Sequence, residues 1–185
     1  MSTSPEELDR KVAELEGRLS RLEGSAPEDR LSMVVMSGDL DHLLAAFIIA
    51  TGASAMFEKV SMFFTFWATA ALRDPKLAPP RKDVMGAAFG ALLPKGPPKL
   101  GLSRMHFCGL GTSVLKRLMK TKGVRSLEEL IALAAEGGVE IFVCEMSMNL
   151  MGMRREELID YPGLKLAGVA TFLQRAGTSK ASLFI

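Results

Sequence analysis

Five apolar residues near the start of the chain repeat with heptad spacing. Their intervals are 4, 3, 4 and 3 residues, and they are Leu8, Val12, Leu15, Leu19 and Leu22. Such a narrow stripe is typical of a coiled-coil seam, whereas a helix that packs on its own core usually carries a wider one. Gly24 and Pro27 mark the end of the helix. We predict that residues 1–30 form a coiled-coil helix that makes the protein a homo-oligomer; the alternative is that the stripe packs on the protein's own domain.

After this helix, apolar runs without polar alternation are separated by helical segments. Runs of this kind predict parallel strands that are buried between helices on both faces of a sheet. The predicted strands begin at Leu31, span Val60–Phe66 and Val139–Val143, and recur weakly at 164–166 and finally at 181–185. The predicted helices run from Leu40 to about Ala55, from Thr112 to about Lys122, over Leu127–Glu136, and then around 147–151, 154–160 and 167–174. The sequence therefore predicts an α/β domain over residues 31–185, and the helix from Leu40, which is apolar nearly all round, should be buried.

Composition narrows the class of protein without naming a function. The 185 residues are 48% apolar and 24% charged, which suits a folded domain with a substantial core. Two cysteines are too few for a disulfide framework, and the first residues lack the apolar stretch of a secretory signal. The longest uncharged stretches, residues 43–57 and 60–72, have 15 and 13 residues, which is too short for a membrane span. We therefore expect a cytoplasmic protein.

Residues 73–125 form a basic insertion in the middle of the domain. They contain 12 Lys or Arg and two Asp, a net charge of +10, so the remaining residues carry −8 of the total of +2. The insertion is rich in Gly and Pro, and we expect it to stand outside the core. It could bind an anionic membrane surface, dock an acidic partner protein, or be an ordinary solvated face. Nucleic acid is not expected, because aromatic residues that could stack on bases are scarce in it.

One cysteine occupies the position at which parallel sheets bind ligands. Cys144 closes the strand Val139–Val143 and precedes a predicted helix. Ligands of such sheets bind beyond the carboxyl ends of the strands, and the amides of a helix start favour a thiolate. Cys144 is therefore a candidate reactive thiol, although a buried cysteine is more often inert.

Several segments of the chain, taken together, resemble the DsrE/DsrF/DsrH-like superfamily. They are SGDLDHLLAAFIIATGASAM, VSMFFTFWA, SLEELIALAAEGGVEIFVCEMSMNLMGMRREELID and the closing GVATFL and LFI. The branch that the chain resembles carries a C-x-M-S-M-x-x-M-G motif, here Cys144, Met146, Ser147, Met148, Met151 and Gly152. The resemblance covers residues from about 31 to 185 and leaves the N-terminal helix outside.

This resemblance implies a flavodoxin-like fold, an oligomer and a place in sulfur relay. A cysteine of the family holds sulfane sulfur as a persulfide, and the motif assigns that role to Cys144. The implied partners are sulfur donor and acceptor proteins, with no cofactor, and the implied activity is that of a sulfur carrier or sulfurtransferase. Members of this branch are also labelled peroxiredoxin-like, but no residue pattern in this chain suits peroxidase chemistry.

Cys108 and the two histidines are secondary candidates. Cys108 could resolve a persulfide or form a disulfide with Cys144, or be an apolar residue of the basic insertion. His106 and the two cysteines could supply three metal ligands, but their spacing fits no usual zinc pattern, and we predict no metal site. His42 follows the Gly38–Asp39 turn and could assist a proton transfer at the same site, or simply be a helix residue.

The methionines that follow Cys144 are expected to line it. Ser147 would line the site as well, and the methionines would form an apolar wall that shields the sulfur from water; they are Met146, Met148, Met151 and Met153. Thiolate and thioether groups also suit a soft metal such as Cu(I). The alternative function is therefore a soft-metal-binding protein, or a structural assembly protein without catalysis.

Overall fold

A parallel β-sheet forms the centre of the computed structural model, which describes residues 5–77, 90, 92–105 and 107–185. Its strands in chain order are β1 (Glu28–Val35), β2 (Lys59–Phe64), β3 (Glu140–Cys144), β4 (Lys165–Ala167) and β5 (Ser179–Phe184). They lie side by side in the order β4-β3-β2-β1-β5, and each neighbouring pair is parallel. The predicted α/β, flavodoxin-like fold is thereby confirmed.

Helices connect these strands and precede the first of them. In the part of the chain that the structure describes, they are α1 (Pro5–Ser25), α2 (Leu40–Ala53), α3 (Leu110–Thr121), α4 (Leu127–Glu136), α5 (Glu145–Leu150) and α6 (Val169–Thr178). Short 3₁₀ helices lie at Phe66–Leu72, Pro97–Lys99, Phe107–Gly109 and Arg155–Glu157. None of the described helices combines the length and the apolar character needed to cross a membrane.

Helix α4 begins at a capping box. The Ser126 hydroxyl accepts a hydrogen bond from the Glu129 amide at 3.2 Å, and the Glu129 carboxylate accepts one from the Ser126 amide at 2.6 Å. This reciprocal pair satisfies two amides that would otherwise lack partners near the helix start. The helix consequently spans Leu127–Glu136, which are its predicted bounds.

Strand β2 is shorter than predicted. It ends at Phe64 rather than at Phe66, and a 3₁₀ helix follows. Phe66 turns the chain with a positive φ of 46°, and the Ala68 amide donates to the Met36 carbonyl at 3.1 Å. The apolar run continues through this turn, and its pattern therefore conceals the end of the strand.

The helix predicted around residues 154–160 is reduced to the 3₁₀ turn Arg155–Glu157. The residues after this turn pair with another segment of the chain. Leu158 forms an antiparallel bridge with Arg73, and the Ile159 amide donates to the Leu72 carbonyl at 2.8 Å. Hydrogen bonds to this neighbouring segment replace those that a longer helix would have made.

The two faces of the sheet are covered to different extents. On one side, which we call the main face, α2, α4 and α5 contribute to a large apolar core. On the opposite side, which we call the thiol face, lies the smaller cluster Phe63, Phe142, Cys144 and Ala167. Helix α6 covers this cluster with the partly buried Phe172, and no residue of α6 is fully buried. The prediction that helices lie on both faces holds, but their coverage is unequal.

The sequence predicted that helix α2 is buried on all sides, but one side of it is exposed in the structure. Leu43 and Phe47 are fully buried in the main core, whereas Ile48 and Ile49 are 50% and 39% exposed. Helix α2 packs against the sheet on one side and against α4 on another, so the remaining side of α2 is open to solvent. Apolar residues on that side therefore gave a misleading indication of burial.

Arg73 anchors the basic insertion to the domain. Its buried guanidinium donates to the Glu157 carboxylate at 2.8 Å and to the Gly90 carbonyl at 3.0 Å. Further along the insertion, Leu93 and Leu100 are buried in the main core. The expectation that the insertion stands outside the core is therefore wrong for this described part, because its apolar residues fill space beside α2.

Candidate functional site

Cys144 lies at the carboxyl end of β3, directly before α5. Its side chain is only 4% exposed and clusters with Phe63, Phe142 and Ala167 on the thiol face. Val143, the preceding residue, belongs to the main core, as the alternation of a strand requires. The thiol therefore lies in apolar surroundings at the edge where parallel sheets place their binding sites.

Hydroxyl and amide groups of three residues lie around the Cys144 sulfur. They are the hydroxyl and the amide of Ser147, the hydroxyl of Thr65 and the amide of Met146. Burial alone would raise the pKa of the Cys144 thiol, but these donors outweigh burial and lower that pKa below its ordinary value. We call this arrangement the thiol cradle. It stabilises a thiolate, which is the reactive form of cysteine.

Thr65 completes the thiol cradle from the neighbouring strand. It follows β2, whose Phe64 pairs with Val143, so Thr65 and Cys144 occupy the next positions along two adjacent strands. The hydroxyl oxygens of Thr65 and Ser147 are 2.8 Å apart. The sequence analysis missed Thr65. No local signal marks it, because the predicted strand continues through Thr65 and hides the strand end that Thr65 follows.

The methionines predicted to surround Cys144 lie largely elsewhere. The buried ones pack in the main core, which does not include Cys144; they are Met148, Met151 and Met153. Met146 is 61% exposed and contributes its amide to the thiol cradle. Helix α5 turns Ser147 toward the sulfur, and the following residue consequently points to the main core. The rings of Phe63 and Phe142, rather than thioethers, supply the apolar surroundings of the thiol.

The turn before α2 has its own hydrogen bonds. Asp39 occupies the N-cap position of α2, but its side chain makes no capping bond. Its carboxylate instead accepts a hydrogen bond from the Ser37 hydroxyl at 2.9 Å. His42 Nδ1 is buried without a hydrogen-bond partner, at 3.8 Å from a carboxylate oxygen of Asp39 and from one of Asp41.

This turn does not share a cavity with the thiol. Gly38 and Asp39 line a cavity of about 270 Å³ together with Trp67 and residues of the basic insertion. Cys144 is not among its lining residues. The sequence predicted that this turn and His42 lie at the same site as Cys144, but the cavity at the turn does not include Cys144.

The remaining predicted site residues fall outside the described residues. They are His106 and the side chain of Cys108, and their roles stay predictions. Among the residues that the structure describes, no group of three or more His, Cys, Asp or Glu is placed to hold a metal ion.

Comparison with protein families matches residues 27–184, which include the whole sheet and the thiol cradle, to the DsrE/DsrF/DrsH-like family. The chain belongs to this family. Helix α1 ends before the matched residues begin, so it is an addition to the family domain.

Two relatives of this family domain are similar along nearly their whole length. The uncharacterized protein YrkE of Bacillus subtilis is 42% identical over 156 residues, which cover 84% of this chain and 96% of YrkE. The sulfur carrier protein DsrE2 of Allochromatium vinosum is 35% identical over 159 residues, which cover 85% of this chain and 99% of DsrE2.

Proposed function

We propose that this protein carries sulfane sulfur as a persulfide on Cys144 and passes it to a partner protein. Its family and its likeness to the sulfur carrier DsrE2 support a place in sulfur relay. The observation that carries the proposal is the thiol cradle, in which two hydroxyls that bond each other and two amides surround one buried sulfur. Such a site stabilises a sulfur anion, which is the charge of a thiolate and of an ionised persulfide alike.

The transfer needs no external oxidant or reductant. The Cys144 thiolate attacks the outer sulfur of a donor persulfide, R–S–SH; a new S–S bond forms, the donor's S–S bond breaks, and the donor leaves as the thiolate R–S⁻. The proton of the outer sulfur stays with that sulfur. An acceptor thiolate then attacks the outer sulfur and releases the Cys144 thiolate. The partners are thus a donor and an acceptor protein, and a cytoplasm that keeps thiols reduced suits both.

Persulfide-selective alkylation followed by peptide mapping tests the proposal. After treatment with inorganic polysulfide, the intact protein should gain the mass of one sulfur atom, located on the peptide that contains Cys144. Cys144→Ser should abolish this gain while the far-UV circular dichroism spectrum is retained. Cys108→Ser, which removes the other thiol, is the matched control and should keep most of the gain.

Two results would contradict this assignment. One is sulfur on Cys108 with Cys144 unreactive toward every alkylating reagent in the folded protein. The other is a gain of sulfur that Cys144→Ser leaves unchanged. Either would move the reactive thiol into the basic insertion.

The basic insertion supports a second proposal, that it binds an anionic membrane surface. Three apolar residues of α3 are spaced four residues apart on one side of the helix and are 51–67% exposed; they are Leu110, Val114 and Leu118. The same helix carries Lys116, Arg117 and Lys120. Exposed apolar residues with cationic neighbours are what an interfacial helix needs to bind anionic lipid.

Liposome flotation tests this second proposal. The protein should float with phosphatidylserine-containing liposomes at low salt and be released as salt rises, since screening grows with ionic strength. Phosphatidylcholine liposomes are the control and should bind less. Val114→Glu should weaken flotation by placing a negative charge among the exposed apolar residues. Absence of binding at every salt concentration would contradict the membrane proposal and favour an acidic partner protein.

A further inference from the structure

The apolar stripe of α1 is uncovered in the structure. Its five residues are between 48% and 67% exposed, and they are Leu8, Val12, Leu15, Leu19 and Leu22. The stripe therefore does not pack on the protein's own domain, which was the alternative that the sequence left open. A helix of 21 residues gains little stability alone in water, and its open stripe calls for a partner. The family match does not include α1, so the partner must be inferred from α1 itself.

The charges beside the stripe follow a strict sign pattern. With Val12 and Leu19 at heptad position a, the leucines of the stripe at 8, 15 and 22 fall at position d. The flanking position e is acidic throughout, with Asp9, Glu16 and Glu23. The other flanking position, g, is basic, with Lys11 and Arg18. One side of the stripe is therefore negative and the other is positive.

This pattern distinguishes the two ways in which two copies of α1 could pair. In a parallel pair, position g meets position e of the next heptad on the partner, so Lys11 meets Glu16 and each such contact joins opposite charges. In an antiparallel pair, g meets g and e meets e, so lysine and arginine would face each other and the acidic residues would do the same. Electrostatics therefore favours the parallel arrangement.

We propose that α1 pairs with α1 of a second copy of this chain in a parallel, in-register, two-stranded coiled coil. Leucine at each d position, together with the β-branched Val12 at position a, favours two strands. Lys11 and Arg18 form ion pairs one turn back, with Glu7 at 3.6 Å and Glu14 at 2.9 Å. Both basic side chains nevertheless remain more than half exposed, so a partner helix has access to them.

The short connection after α1 gives this pairing a consequence for the sulfur site. Helix α1 ends at Ser25 and β1 begins at Glu28, so only residues 26 and 27 separate them. A parallel coil brings both copies of this connection to the same end. The two sheet domains must therefore lie side by side, with two thiol cradles in one assembly.

Cysteine cross-linking in the full-length chain tests the orientation. In a Cys108→Ser/Cys144→Ser background, Leu8→Cys places a thiol at a d position near one end of the stripe. In a parallel coil, two such thiols face each other and should form a disulfide-linked dimer in a glutathione redox buffer. In an antiparallel coil, a d position faces an a position of the partner, so the two thiols at position 8 would be about 17 Å apart and Leu8→Cys would cross-link to Leu19→Cys instead.

Matched variants connect this cross-link to the stripe. Leu15→Asp, added to the cross-linking chain, should abolish the dimer band, whereas Ala13→Asp on the outer side of the helix should retain it. Lys11→Glu/Arg18→Glu should weaken self-association on the order of tenfold by placing like charges across the seam. Arg10→Glu/Arg21→Glu makes the same change of charge away from the seam and should have little effect. Preferential cross-linking of position 8 to position 19, or no cross-link at either position, would overturn the proposal.

Discussion

The main face and the thiol face use the same strands but bury different chemistry. On the main face, the strand residues are apolar, as at Leu31 and Met33 of β1, and three helices pack on them. On the thiol face, Ser32 lies between those two residues, and its hydroxyl bonds those of Ser61 and Ser179 at 3.1 and 2.7 Å. Polar groups are therefore built into this second face, where the Ser32 hydroxyl links two further hydroxyls.

This difference separates stability from chemistry within one sheet. The main face contains the largest buried side chains and contributes most of the apolar burial on which folding depends. The thiol face has a small apolar cluster, one covering helix and the sulfur with its thiol cradle. We infer that the main face stabilises the fold and that the thiol face can consequently hold groups that are costly to bury.

The largest expected effect comes from removing a ring on each face. Phe47 is fully buried on the main face, with its ring centre 5.9 Å from that of Phe64. Phe47→Ala should lower the free energy of unfolding by about 3–5 kcal/mol. Phe172→Ala, which removes the partly buried ring over the thiol face, should cost about 1–2 kcal/mol because less apolar area is lost. Urea unfolding followed by circular dichroism measures both, and equal losses would mean that the two faces contribute alike.

The second effect is a change in the pH dependence of the thiol. Ser147→Ala removes a donor to the Cys144 sulfur, so the thiol should lose part of the stabilisation of its charged form and its pKa should rise. Alkylation of Cys144 should then slow at neutral pH and match the wild type at high pH, where both thiols are ionised. Ser61→Ala, which removes a buried hydroxyl from the same face without touching Cys144, is the control. If Ser147→Ala leaves the pH midpoint of the alkylation rate unchanged, the Ser147 hydroxyl does not lower the pKa of the Cys144 thiol.

The smallest effect concerns the ion pairs of the thiol face. Burial pushes the pKa of Glu140 upward, but Lys165 and Arg175, at 2.9 and 2.7 Å, hold it below its ordinary value. A carboxylate with a lowered pKa stabilises the fold above its unfolded pKa and loses that contribution as pH falls through its folded pKa. Glu140→Gln should therefore cost at most about 1 kcal/mol at neutral pH, and the difference from wild type should shrink below about pH 4. If the difference in free energy of unfolding between Glu140→Gln and the wild type stays the same in acid, its cause is packing rather than charge.

Local signals predicted the elements better than the site. The helix Leu127–Glu136 and the strand before Cys144 depend on neighbouring residues, and both appear in the structure at or near the predicted positions. Thr65 and Cys144 meet because β2 and β3 pair in a particular register, which no local pattern reveals. Met148 was expected beside the sulfur but lies in the main core. Its apolar side chain indicates burial, but does not indicate which face of the sheet buries it.

The pairing of β5 with β1 has a consequence for the order in which the molecule can form. Ser32 of β1 and Ser179 of β5 bond across a separation of 147 residues, and β1 lies between β2 and β5 in the sheet. A ribosome releases β1 long before β5 exists, so one edge of β1 has no strand to pair with while the intervening residues are synthesised. Contacts between such distant segments close slowly. We expect completion of the sheet to be a late event in folding, and β1 to expose an unpaired edge to other chains until then.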